Sequence, residues 1–510
     1  MVNYVPTLPR QHSYPRLLVK FILLCAPLFT LSAMAQGVSV LMQHGDLQRT
    51  GWNQQETALT VANVNMNTFG RAYSVPVDDQ QYAQPLVVSG LAIGGGTHNV
   101  VYAATVNNTV YAIDADQPVI YWSKNYSVAG QRAPKNSDMT GACGGNGHYQ
   151  DFSGNMGIVG TPVIDPATKT LYFVVRSTDG TSFSQHLHAV DLATGAERAG
   201  SPQLITATYP GSGAGAAGGV LAFDAQRQNQ RCGLLLLNGI VYIAYASHCD
   251  WGPYHGWVLG YDASTLAQKV VYNDTPDGYN GGIWMSGAAP SADEFGNLYL
   301  STGNGSAGAN GDFNNVRNRS ESVLKLTPST TSTALAVSSF FTPSNYQALE
   351  DADLDLGSSE VMLVPNTNLA LTGCKDGNIY VLNRDNMGGF NATTNQAVQI
   401  IALGSNKALR SSYAYYRDAN NKEFFYTWSA NALLKAFPFN RAAGLFDVGS
   451  VVNATAQGPT GSAGAMMAVS SNGATPGTGV LWASHSFGDS PNQSTRPGIL
   501  RAFDAADVTK

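Results

Sequence analysis

The sequence predicts an all-β propeller built from four-stranded blades, and three observations carry that expectation. One hairpin recurs seven times along the chain. In NVVYAATVNNTVYAIDAD (99–116), two apolar runs rich in Tyr and Val meet at Asn107-Asn108, and Asn tolerates the positive φ of a tight turn. Each hairpin also has apolar companions before and after it, which makes four strands per unit. Finally, the 510 residues include 54 Gly and 24 Tyr but only 12% charged residues, a mixture that suits strands and tight turns.

Taken in chain order, residues 1–35 read as a signal peptide. Arg10, Arg16 and Lys20 precede the apolar run FILLCAPLFTLSA (21–33), and Ala33-Met34-Ala35 supplies a small-x-small cleavage site. The apolar run is too short to span a bilayer. Cleavage is therefore expected after Ala35, giving a periplasmic or secreted bacterial protein with no membrane span. Residues 36–68 form a lead-in segment, and 69–510 form the propeller. Within the propeller, FGRAYSVPVD (69–78) is a lone strand that could complete the last blade, whose own sequence ends at Lys510 without a fourth strand.

The repeats follow. TLYFVV (170–175), IVYIAY (240–245), NLYLST (297–302), NLALTG (368–373), EFFYTW (423–428) and VLWASH (480–485) align beneath the first hairpin. Their equivalent residues Tyr102, Tyr172, Tyr242, Tyr299, Ala370, Phe425 and Trp482 lie 55 to 71 residues apart. Variable spacing around a constant unit is what a repeat fold with loop insertions produces. Radial repetition of four-stranded units gives a propeller, whereas isolated hairpins could not bury their apolar faces.

The net charge of −6 gives no reason to expect nucleic acid or an anionic membrane as partner. The chain is expected to be a monomer. In a four-stranded blade the A–B and C–D turns share one face, and the B–C and D–A connections share the other. The longest connections, near 127–159, 204–231, 246–256, 303–319, 342–358 and 485–497, all fall on this second face, the usual signature of a working surface.

That face carries the candidate site residues. HCDWGPYH places His248, Asp250, Trp251, Tyr254 and His255 together, with Trp257 just beyond, and these make a candidate binding loop. Asp351, Asp353 and Asp355 alternate in EDADLDLGSSE, offering hard oxygen ligands for Ca²⁺, although Gly357 stands one place late for an EF-hand loop. Cys143, Cys232, Cys249 and Cys374 are on the same face, and an exporting compartment permits disulfides among them in any of three connectivities. There is no GxSxG, phosphate loop or HExxH.

Together, HGDLQRTGWN (44–53), QPLVV, HNVVYAAT, GTPVID, SHCDWGPYHGWVLGYD, GGIWMSGAAP, STGNG and KDGNIYVLNRDNMGG resemble bacterial pyrroloquinoline-quinone-like repeat propellers, over most of residues 40–507. The resemblance implies the fold and leaves function open, because the group holds quinoprotein dehydrogenases, outer-membrane assembly factors and secreted proteins of unknown role. Related chains often carry one further blade, so the ring is expected to be seven-bladed or an incomplete eight. The dehydrogenases of the group have an adjacent-cysteine disulfide beside the cofactor, a Trp beneath it, and Ca²⁺ held by acidic and Asn side chains. This chain has no adjacent cysteines, and Trp284 reads as a packed blade residue.

The expectation is therefore a non-catalytic exported propeller that binds a protein or extracellular glycan through its long-loop face. Pyrroloquinoline quinone is not expected as a cofactor, and Ca²⁺ is the one cofactor left open. The alternatives are a quinone- and Ca²⁺-dependent oxidoreductase, and a polysaccharide hydrolase or lyase.

Overall fold

A computed structural model describes residues 37–510 apart from 153, 309–312, 314–316, 330–333, 459–460 and 462–463. The expected signal peptide, residues 1–35, lies outside the described residues. Residues 37–510 form one compact unit.

Seven blades are present, and each of the seven aligned hairpins lies on a blade's second strand. Blade 1 runs Leu86–Ile93, Gly96–Ala104, Thr109–Asp114 and Ile120–Asn125 in antiparallel order, and its B–C turn places Asn108 at φ 64°. The second strands of blades 2 to 7 are Thr170–Thr178, Ile240–Ser247, Leu298–Ser301, Leu369–Gly373, Glu423–Thr427 and Val480–Ser486. Those of blades 2, 4, 5 and 6 are buried along their whole length, as expected for sheets covered on both faces. Apolar clusters fill the spaces between successive blades from 1 to 7. One example is Val163, Leu187, Ile243 and Leu259 between blades 2 and 3.

The lead-in segment has a role that its sequence did not suggest. Residues 40–53 run past the inner strand of blade after blade. Val40 pairs with Val87 of blade 1, and Ile164 of blade 2 donates its N–H to Leu41 O at 2.8 Å. Ala292, Leu363, Tyr415 and Val469, on the first strands of blades 4 to 7, donate to the carbonyls of Leu47, Gln48, Thr50 and Gly51 at 2.8–3.0 Å. HGDLQRTGWN is therefore the hub of the wheel. Its polar residues are buried there: Arg49 is fully enclosed, and His44 stands 3.1 Å from Glu360.

The closure expected from residues 69–78 is corrected. Blade 7 does take an N-terminal strand, but it is Trp52–Asn53, parallel to Met466–Ser470 on the hub side. Residues 69–78 form no strand. Pro76 cannot donate to a ladder, and the segment is held by side chains instead. Phe69 packs on Trp482 with ring centroids 5.2 Å apart, Tyr73 donates its hydroxyl to Ala115 O at 2.6 Å, and Val75 and Val77 cover Ala103, Tyr111 and Ile113 of blade 1.

Candidate functional site

The B–C and D–A connections of blades 3 to 5 bring together a polar cluster on the long-loop face. Asp250 and Tyr254 come from the corner after Ile240–Ser247, and Asn304 from the corner after Leu298–Ser301. Lys375 follows Leu369–Gly373. Trp284 stands in the connection before blade 4, and Asp353 and Asp355 in the connection before blade 5. Residues more than a hundred positions apart meet because each blade delivers its corner to the same end of the wheel.

Lys375 anchors the cluster. Its ammonium donates to Asp353 Oδ1 at 2.7 Å and is also paired with Asp355. Burial works against the charge of Lys375, but the two carboxylates outweigh it and raise its pKa above the ordinary lysine value. Asp355 is buried and accepts the Asn304 backbone N–H at 2.7 Å, and Asn304 Nδ2 reaches Asp353 at 3.2 Å. Gly303 makes this approach possible, since a side chain there would collide with the Asp355 carboxylate and lie 2.9 Å from the Trp284 ring. Asp353 sits at φ 52° and Asp250 at φ 48°, a left-handed conformation that Asp, like Asn, adopts more readily than most residues other than Gly.

Asp250 accepts from the Tyr254 hydroxyl at 2.5 Å. The residue is exposed to solvent. Protein packed around its carboxyl and then Asp355 and Asp353 nevertheless push that carboxyl up to about 6. Glu321 is fully buried close by. Burial and then Asp355 raise its carboxyl well above the usual range, and one of its oxygens accepts from Leu356 N at 2.7 Å. The cluster thus combines carboxyl groups, an ammonium, an amide and an indole.

The structure divides the other candidates. Cys143 and Cys249 form a disulfide with Cα atoms 5.2 Å apart, while Cys232 and Cys374 are free and buried beneath the cluster. Cys232 Sγ faces Ile283 O and Cys374 Sγ faces Leu354 O, each at 3.1 Å. His248, Tyr254, His255 and Trp257 are all buried, so of the candidate binding loop only Asp250 and Trp251 meet solvent. His255 is bonded to Thr275 and to Ala214 O, and Trp251 lies beneath Arg227 at 5.2 Å. Asp351 ends the short helix Tyr346–Asp351, exposed and bonded to Gln347, apart from the Lys375 pair. Among the described residues no three carboxylate, imidazole or thiol groups stand together as metal ligands.

Asn304 and Lys375 were missed in the sequence. Both lie two or three residues beyond an aligned second strand, as does Asp250, and comparing that corner across the seven repeats would have singled them out. The disulfide joins the connection carrying Cys143 to the corner carrying Asp250 and closes a loop of 106 residues. Cys143→Ser is expected to cost roughly 2 kcal/mol in urea denaturation and to raise amide exchange over 136–156 while the blade strands stay protected. Uniform exchange across the blades would contradict that local role.

No protein-family model and no curated protein matches the chain. Among solved structures, the quinohemoprotein alcohol dehydrogenase from Comamonas testosteroni is 14% identical, with a TM-score of 0.53 over 91% of this chain and 80% of that one. A quinohemoprotein alcohol dehydrogenase from Pseudomonas putida HK5 is 14% identical, with a TM-score of 0.48 over 88% of this chain and 76% of that one. A europium-containing methanol dehydrogenase gives 14% and 0.49 over 91% and 79%. At such identity the likeness is one of fold alone: this chain is a β-propeller.

Proposed function

We propose that this is an exported, non-catalytic propeller that binds a glycan at the Asp250–Asn304–Asp353–Lys375 cluster on its long-loop face. The observation that carries the reading is the mixture of groups gathered there. Adjacent sugar hydroxyls both donate and accept. Carboxylates at Asp250 and Asp353, the Asn304 amide and the Lys375 ammonium offer both complements within one site, and Trp284 supplies a partly exposed ring. A protein partner is the weaker choice, because the aromatic anchors that such an interface uses are buried at Tyr254 and Trp257.

Titration of the mature protein with purified cell-surface and extracellular polysaccharides, followed by calorimetry, tests this. Asp353→Asn is expected to weaken the best ligand about tenfold, a loss of ~1.4 kcal/mol. Affinity should rise as pH passes through about 6, where Asp250 gains its charge. If no polysaccharide binds, the reading fails. Release of reducing ends would replace it with the hydrolase alternative.

One observation favours a second reading, a quinone-dependent oxidoreductase. Trp284, Asn304 and Asp355 share one site, and Asn304 Oδ1 is buried without a hydrogen-bond partner beside two carboxylates. Those oxygens suit a hard divalent cation. The rest of the cradle does not fit the quinone of the resembled dehydrogenases: the disulfide joins two separate loops, and the ammonium of Lys375 already bridges the carboxylate pair. Adding pyrroloquinoline quinone and Ca²⁺ and recording cofactor absorbance and dye-linked alcohol oxidation separates the two readings.

A further inference from the structure

Among the described residues, Arg176, on the second strand of blade 2, is the most deeply buried cation outside the hub and the polar cluster, at 1% exposure. Among the described residues it forms no ion pair. Its Nη2 lies 2.5 Å from His248 Nε2, while Nε and Nη1 have no hydrogen-bond partner. Arginine stays charged in proteins, and enclosing an uncompensated charge is among the most costly things a fold can do.

Every guanidinium nitrogen can only donate, so His248 Nε2 must be the acceptor. His248 is then neutral with its proton on Nδ1, and burial followed by Arg176 lowers its pKa in the same sense. That Nδ1–H donates to the Tyr149 oxygen 2.6 Å away, which leaves the Tyr149 hydroxyl proton free to donate elsewhere. The hydroxyl of Tyr245, from blade 3, is fully buried, lacks a partner and lies within electrostatic range of the guanidinium. Gln185, opposite Arg176 across the ladder, is neutral; its amide nitrogen donates to the carbonyls of Ala225 and Gln228, and its Oε1 is an unpartnered acceptor. Among the described residues, Arg176 thus has no negative charge paired with it, and Nε, Nη1 and two tyrosine hydroxyls are unpaired donors against the one neutral acceptor opposite it.

We infer that Arg176, Tyr245 and Tyr149 hold a small monovalent anion, a halide or a carboxylate of formate size, between blades 2 and 3. The ion would neutralise the guanidinium and tie blade 2 to blade 3 and to the 127–159 connection that carries Tyr149. The site is separate from the glycan cluster and does not depend on that reading.

The test uses the mature protein at constant ionic strength, replacing sodium gluconate, whose anion is too large to enter, with sodium bromide or sodium formate. A ligand that binds only the folded state raises its melting temperature. An upward shift of several degrees is expected with bromide, formate or both, and the pair distinguishes halide from carboxylate. Tyr245→Phe should reduce the shift and Arg176→Gln should abolish it. Bromide-soaked crystals should show an anomalous peak beside Arg176 Nε, a readout that needs no variant to fold. Water alone at that position, or an equal shift in Arg176→Gln, would overturn the inference.

Discussion

Arg49→Ala is expected to lower the free energy of unfolding by on the order of 4 kcal/mol, the largest single-residue effect on the fold. Arg49 donates through Nη1 to the carbonyls of Gln43 and Asp46, at 2.7 and 3.0 Å, and through Nη2 to Pro290 O at 2.8 Å. It thereby ties the hub to the connection leading into blade 4. Truncation would leave buried carbonyls unpaired and open a cavity. It would also unbalance the hub, where two cations, His44 and Arg49, stand among two anions, Glu360 and Asp46. Arg49→Lys keeps the charge but not the fork, so an intermediate loss of about 2 kcal/mol is expected. Urea denaturation measures both, and a loss below about 1 kcal/mol for the Ala variant would refute a hub role.

Raising the pH from 6.5 to 9 is expected to remove roughly 3 kcal/mol of stability through His44 alone. Burial works against a charge on this ring, but Glu360, first through its charge and then through its hydrogen bond, more than offsets it and raises the pKa to about 9. The geometry agrees. Nδ1 faces Glu360 and Arg49 O at 3.1 Å and Nε2 faces Met467 O at 2.6 Å, so both nitrogens meet acceptors and both must carry protons. Because the folded value lies above the unfolded one, the contribution is complete below pH 6.5, fades as the pH rises and is gone above about 9. His44→Gln should flatten this part of the profile in denaturation series at fixed salt. A wild-type stability that stays constant between pH 6.5 and 9 would contradict the ion pair.

Much of the fold was legible because its signals are local. The period-two runs around Tyr102, Tyr172 and Tyr242 and the turn at Asn107-Asn108 specify strands and corners within about twenty residues, and repetition turns those units into blades. The site was legible only in part. Asp250, Asp353 and Asp355 stood out as acidic residues in loops on the long-loop face. Asn304 and Lys375 have ordinary side chains in short corners, and their place in the cluster comes from what other blades set beside them.

The sequence alone determined the class of fold, the number of repeats, the second strand of each blade and the face that carries the long connections, since strand alternation and turn chemistry are written within each repeat. Tertiary structure alone decided the rest. It sent residues 40–53 through the centre of the wheel, because the inner edges of blades 1, 2 and 4 to 7 offer backbone groups to their carbonyls. It paired Cys143 with Cys249 and left Cys232 and Cys374 as free, buried thiols, which is none of the three two-disulfide connectivities the sequence allows. It also buried Tyr254 and Trp257 while leaving Asp353 in solvent, because burial depends on what neighbouring blades and connections pack against a residue, and those neighbours lie far away along the chain.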